Sequence, residues 1–352
     1  MQSTYDISKS YDWNYDNGPT FSGNIPTRTN IKPMKLWGYE VNSPLGVPAG
    51  PLLNANYIEL YGKLGFDLPI YKTLRTCFRQ VHPAPNCLYV ETKAQLTPAD
   101  MNSTIYSRQS EPTEPNEIAI TNSFGMPSKS IEVWQADIEK ANQSLAKGQL
   151  MIVSCVGTPS EERTIIEDYA LCARLAVEAG AKAIELNYSC PNVTSKEGSI
   201  YQDAALSSAI SKAVKGVVKN IPVMIKMGYI KEDNHLQEVI SQNAQYVDGI
   251  AAINTISMQA RHSDGTQALP GDGRLTSGIC GDIIRDIGIE TISRIAKIKQ
   301  QQNFDFMLCG VGGITSAQHF NDYFDAGADI AMSATGAMWN PYLAIEWHKC
   351  NK

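Results

Sequence analysis

Short apolar runs rich in β-branched residues recur eight times along the chain, and most are followed by a segment with helical periodicity. That alternation belongs to a parallel sheet, whose strands need long helical crossovers to return. The runs are Leu45 to Ala49, Leu68 to Lys72, Leu150 to Cys155, Ala183 to Asn187, Val223 to Met227, Gly249 to Asn254, Phe306 to Cys309 and Ile330 to Ser333. Eight such units predict an α/β fold closed into a single (β/α)8 TIM barrel, and 352 residues suit one barrel with long loops.

End signals support the helices. Thr158-Pro159-Ser160-Glu161 reads as a capping box with proline at the first helical position; Ile165, Tyr169, Cys172 and Ala176 then share one face, and Gly180 is the stop. Thr315 to Gln318, ending at Gly327, repeats the device. Ala179-Gly180-Ala181-Lys182 and Ala326-Gly327-Ala328-Asp329 read as two copies of one helix-to-strand turn.

Two segments break the rhythm. Residues from about Leu74 to Ser128 carry Pro83, Pro85, Pro98, Pro112 and Pro115, and those from Ile256 to Cys280 carry Pro270 among several glycines, so neither reads as a regular βα unit. Both leave the C-terminal end of a predicted strand, which makes them candidate covers for an active face. Residues 1–38 read as an irregular N-terminal arm packing on the barrel or on a second subunit, and residues 39–352 as the barrel.

A net charge of −6 argues against a nucleic-acid partner and favours a small molecule. No run approaches the roughly 18 apolar residues of a membrane span, and the start lacks the basic and apolar regions of a signal peptide. Eight cysteines without a Cys-x-x-Cys pair point to reduced thiols in the cytoplasm, with no metal or iron–sulfur motif.

In such barrels the reactive groups project from the C-terminal strand ends. There the sequence places Lys72, Asn187, Lys226 and Asn254. Buried-strand lysines need an anionic or electron-rich partner, either a neighbouring carboxylate or a ligand. After the seventh and eighth strands stand Gly310-Val311-Gly312-Gly313-Ile314 and Ala334-Thr335-Gly336, where glycine lets backbone amides approach a phosphate. Ser277-Gly278-Ile279-Cys280-Gly281 offers further donors. After the fourth strand comes Asn187-Tyr188-Ser189-Cys190-Pro191-Asn192. Asn122-Ser123-Phe124-Gly125-Met126-Pro127 is, taken alone, only turn chemistry.

Together these pieces, with Leu45 to Gly50, Lys72-Thr73 and Ile253-Asn254-Thr255, resemble the dihydroorotate dehydrogenases, in particular their soluble cysteine-base class, in family order from about residue 40 to 340. The resemblance implies FMN held by Ala49, Gly50, Lys72, Thr73, Lys226, Ser277, Gly278, Gly312, Gly313, Thr335 and Gly336. Lys226 would lie near the flavin N1/C2 edge, where positive charge stabilises the reduced anionic ring. It further implies a pyrimidine substrate on Lys72, Asn122, Gly125, Met126, Asn187, Asn192, Asn254 and Thr255. Asparagine suits a cyclic diamide because its side chain both donates and accepts. Cys190 would take the C5 proton while hydride leaves C6 for the flavin. A thiol near its ordinary pKa of about 8.5 works as a base only where its loop favours the thiolate, so activity should rise with pH through a value somewhat above neutrality.

Departures from the soluble enzymes are the longer arm, the expanded 74–122 segment and His262-Ser263-Asp264-Gly265-Thr266, which resembles the flavin barrel of dihydropyrimidine dehydrogenase. Dihydrouracil or dihydrothymine is therefore the alternative substrate, although Asn192 stands where that family would carry histidine. The membrane-bound dihydroorotate class would carry serine at Cys190 and an apolar N-terminal anchor. The implied electron acceptor is fumarate or another soluble oxidant, or NAD through a partner subunit, and the implied assembly is a homodimer. Two other classes are a non-catalytic flavin-binding barrel and an aldolase-like barrel with Lys226 as Schiff base.

Overall fold

All eight apolar runs form strands. In a computed structural model that describes residues 3–28, 33–92, 94–189 and 199–351, the chain begins with helix α1 (Tyr11–Asn17) and strands β1 (Met34–Leu36) and β2 (Tyr39–Val41). Next come β3 (Leu45–Val47), α2 (Ala55–Lys63), β4 (Leu68–Leu74), β5 (Thr104–Tyr106), β6 (Ala119–Asn122) and α3 (Ile131–Ser144). The middle holds β7 (Ile152–Cys155), α4 (Ile165–Glu178), β8 (Ile184–Asn187), α5 (Ala204–Val218), β9 (Val223–Met227), α6 (Asp233–Asn243) and β10 (Gly249–Ala252). The chain ends with β11 (Ile256–Arg261), β12 (Thr276–Gly281), α7 (Arg285–Gln302), β13 (Met307–Val311), α8 (Ala317–Asp325), β14 (Ile330–Met332), α9 (Thr335–Trp339) and α10 (Leu343–Cys350). Strands β3, β4, β7, β8, β9, β10, β13 and β14 close in that order into a parallel barrel.

Two cores result. Residues such as Ile70, Ile152, Met224, Ala251 and Met332 form a small apolar cluster together with Leu36 and Val41. The larger cluster packs the strands against the surrounding helices. Leu36 and Val41 come from the β1–β2 hairpin, whose Trp37 and Gly38 both have positive φ, as a two-residue type I′ turn requires. The Trp37 indole donates to the Asp248 carbonyl at 2.8 Å, just before β10. The hairpin thus seals the barrel at the N-terminal ends of the strands.

Several expectations need correction. The arm is not wholly irregular: it carries α1 and joins the hairpin, and it packs on its own chain, with Thr4 donating to the Met338 carbonyl and Arg28 gripping Asp67 through two 2.6 Å bonds. The box at Thr158 does not start α4. Its true cap is Thr164 with Glu167 reaching back, because the Thr158 amide is held by the Asp168 carboxylate and Ser160 binds the Arg163 amide instead. At α8 the N-cap position falls on Ser316, whose side chain makes no capping bond, while the Thr315 hydroxyl donates to Asp282. The twin turns are real. Gly180 and Gly327 have φ of 101° and 102°, and each follows a residue whose amide closes the last helical turn. The two irregular segments pair with each other into a four-stranded sheet, β5-β11-β12-β6, over the barrel. Strand β11 alternates buried and half-buried residues along its length, the period-two signature of a half-covered strand.

Candidate active site

Period-two alternation carries the apolar interior of the barrel into a polar mouth. Ile70 and Lys72, Met224 and Lys226, and Ala183, Glu185 and Asn187 are spaced by two and share a face of their strands. The lower members Ile70, Met224 and Ala183 join the interior cluster. The upper members line one cavity at the mouth of the barrel. Strand β4 runs on to Leu74, so Lys72 lies before its end, and β10 stops at Ala252, two residues short of Asn254.

One wall carries amides. The Asn187 side chain donates to the Thr73 hydroxyl at 3.3 Å and accepts from the Ser189 amide at 3.2 Å. Asn254 donates to the Ser189 carbonyl and accepts from the Thr255 amide at 2.8 Å. Asn122 ends β6 and pairs in register with Gly278 of β12. These fixed partners orient the amides towards one cavity, which all three line. The following loop turns through Gly125 and Met126, both at positive φ. It is clamped by the buried Arg75, whose Nε donates to the Met126 carbonyl at 3.1 Å, and by Arg274 on the Ser123 carbonyl and hydroxyl at 3.0 and 2.9 Å. Phe124 packs under Tyr5 and Tyr11 of the arm. The Lys72 ammonium stands 5.9 Å from the Phe124 ring and 3.4 Å from the Gly50 carbonyl.

The opposite wall is built from glycine. Gly312 and Gly313 have φ of 130° and 68°. A Cβ on Gly313 would lie 2.6 Å from the Arg285 backbone, and one on Gly336 only 2.1 Å from the Ile314 carbonyl, so no larger residue fits either position. Behind these loops Asp282 accepts from Arg285 at 2.8 Å and from Thr315 at 2.9 Å, and Arg285 donates to His319 at 3.0 Å. Backbone approach of this kind, beside a helix start at Thr335, suits an anion such as a phosphate.

Between the walls sit two buried ionisable groups, Lys226 and Glu185. Burial lowers the pKa of Lys226, opposed by the negative charge of Glu185. Burial raises that of Glu185, opposed by Lys226 and by the Ser154 hydroxyl. Glu185 Oε2 and the Thr255 hydroxyl are buried without a hydrogen-bond partner among the described residues. Unsatisfied polar atoms in a native wall are uncommon and costly, and they mark where a ligand's own polar groups would go.

The family model for dihydroorotate dehydrogenase matches residues 111–346. A dihydroorotate dehydrogenase of Dictyostelium discoideum is 43% identical over 99% of this chain and 97% of that protein. The chain belongs to the dihydroorotate dehydrogenase family. It is accordingly an oxidoreductase acting on a CH–CH bond. Within this dihydroorotate dehydrogenase family it also resembles the catalytic subunit of the NAD(+) type B enzyme of Methanocaldococcus jannaschii, with 30% identity over 63% of this chain and 67% of that protein. The fold matches the crystal structure of the Eimeria tenella enzyme in complex with ferulenol, with a TM-score of 0.71 over 92% of this chain and 85% of that one, at 16% identity.

Most of the residues singled out in the sequence meet in this cavity, including Ala49, Gly50, Lys72, Thr73, Lys226 and the 312–313 and 335–336 glycine loops. Ser277 and Gly278 are not among its lining residues. Ser277 is buried with its hydroxyl on the Gly278 carbonyl, and the cavity meets β12 only at its end, through Cys280 and Gly281. Cys190 and Asn192 lie outside the described residues. Glu185, Ser189 and Thr315 also line the site and had been given no role; for Glu185 the available signal was a carboxylate inside an otherwise apolar strand.

Proposed function

We propose that the chain oxidises dihydroorotate to orotate with FMN as its prosthetic group and Cys190 as the base. The reading is carried by one observation: a glycine cradle, a buried lysine and three asparagine amides share one cavity in a chain 43% identical to a dihydroorotate dehydrogenase. FMN fits this donor set, because the cradle positions exclude any Cβ, Lys226 is a buried lysine in the cavity wall, and Thr255 Oγ1 and Glu185 Oε2 lack hydrogen-bond partners among the described residues. The FMN phosphate would rest on Gly312, Gly313, Thr335 and Gly336, with Ala49, Gly50 and Thr73 along the ring. When bound, FMN supplies the hydride acceptor.

The protein's part is binding, orientation and proton removal. Asn122, Asn187, Asn192 and Asn254 with Thr255 would hold the carbonyl and N–H edges of the planar ring, and Lys72 its carboxylate. Cys190, in thiolate form, would take the proton from C5, next to a ring carbonyl that renders it acidic. Activity should therefore rise with pH through an apparent pKa above neutrality. Fumarate or a partner subunit would complete the cycle as oxidant.

Anaerobic reduction of the purified yellow protein by dihydroorotate, dihydrouracil and dihydrothymine side by side tests the reading. Bleaching by dihydroorotate is expected, slowed by orders of magnitude in Cys190→Ala. Bleaching by dihydrouracil alone would reassign the substrate, and a colourless protein would remove the flavin.

A further inference from the structure

Arg75 is the only arginine among the described residues to be fully buried. It follows directly on Leu74, the last residue of β4. Its Nε donates to the Met126 carbonyl at 3.1 Å, and another guanidinium nitrogen donates to the Thr158 hydroxyl at 2.6 Å. Thr158 is fixed in turn, with its amide on Asp168, which also accepts from the Thr76 hydroxyl and the Arg163 guanidinium. Burying a guanidinium is costly, and one of the bonds that offset the cost here goes to a loop carbonyl in the cavity wall. Met126 needs that hold. It is not glycine, yet its φ is 50°, a left-handed conformation that ordinary side chains rarely adopt. In that conformation its Sδ accepts from the Asn187 side-chain nitrogen at 3.7 Å. The Asn187 amide is therefore oriented from both ends, by the Ser189 amide on its oxygen and by Thr73 and Met126 on its nitrogen.

We propose that Arg75 is a positioning residue for the pyrimidine: it holds Met126 in the left-handed conformation that sets the Asn187 amide, and so governs affinity for the ring from behind the cavity wall. Met126, Asn187 and Thr73 line the cavity, whereas Arg75 is not among its lining residues. A charged donor on a carbonyl is among the stronger hydrogen bonds, and it acts on the loop whether or not the site is filled. The effect falls on binding, since what Arg75 positions is an amide that holds the ring rather than a group that takes its proton or hydride. The proposal rests on the dihydroorotate reading above and adds to it a residue outside the cavity.

Isothermal titration calorimetry of the holoenzyme with orotate reads the affinity directly, and steady-state assays with dihydroorotate separate KM from kcat. Arg75→Met should weaken orotate binding and raise KM about tenfold, the scale of one charge-assisted hydrogen bond, with a smaller change in kcat. Arg75→Lys, which keeps a cationic donor for the Met126 carbonyl, should recover most of the affinity. Arg163→Gln is the control. It removes the outer cation of the same Asp168 network and should lower the melting temperature while leaving orotate affinity as in wild type. An Arg75→Met protein that binds orotate as tightly as wild type overturns the proposal, and so does an Arg163→Gln protein that loses as much affinity as Arg75→Met. Should Arg75→Met fail to fold, Thr158→Val, which releases the other bond of the guanidinium, must weaken orotate by a smaller factor, and wild-type affinity there sinks the idea. A wild-type holoenzyme that binds no orotate would instead fail the substrate reading, and the proposal with it.

Discussion

His319 shows how single side chains tie the glycine cradle to pH. Its ring nitrogens face the Arg285 guanidinium at 3.0 Å and the Thr315 amide at 3.2 Å, both donors, with Asp282 3.8 Å away. Burial first and Arg285 second lower its pKa from the ordinary 6.5, against the pull of Asp282 and Asp322. The folded state thus favours the neutral ring, and the unfolded chain takes up the proton first. The stability this contributes is complete above about pH 6.5 and is lost as pH falls through the lowered value. Thermal melts between about pH 7 and pH 5 should show wild type losing more stability than His319→Asn; equal losses would exclude the coupling. At this scale the sequence revealed residue types better than partners. Lys226 stood out as a lysine in an apolar strand, but that Glu185 shares its cavity follows only from the closed sheet, and nothing local shows that the cavity meets β12 through Cys280 and Gly281.

The elements divide by the range of the interactions that make them. Strands β3 to β14 of the barrel and helix α4 follow local pattern, and all eight barrel strands appear where alternation and apolar runs place them. The four-stranded cover does not, since its partners lie far off in sequence: β5 pairs with β11 and β6 with β12; the β1–β2 hairpin pairs locally, but its strands are only three residues each and give little pattern to read. The hairpin's value is packing. Leu36 is fully buried in the interior cluster, so Leu36→Ala should cost about 2–5 kcal/mol, read in urea unfolding. A loss under about 1 kcal/mol would mean that the barrel floor does not depend on the hairpin.

The molecule as a whole joins its first residues to its active face. Tyr5 and Tyr11 lie against Phe124, whose loop bears Asn122, Gly125 and Met126, and Lys129 beyond it contacts Tyr15 and Asp12. Tyr11→Ala should therefore loosen that loop and raise KM for the pyrimidine several-fold with a smaller change in kcat; a change confined to melting temperature would make the arm purely structural. What the sequence alone determined was the barrel and the family its motifs point to, because apolar runs followed by helical segments, glycine-rich turns and polar residues at strand ends are local signals. Only the tertiary structure decided the sealed floor, the paired cover, the packed arm and the burial of Glu185 and Lys226 in one cavity wall, because each depends on which distant segments meet, and that is settled by burial and register across the closed sheet.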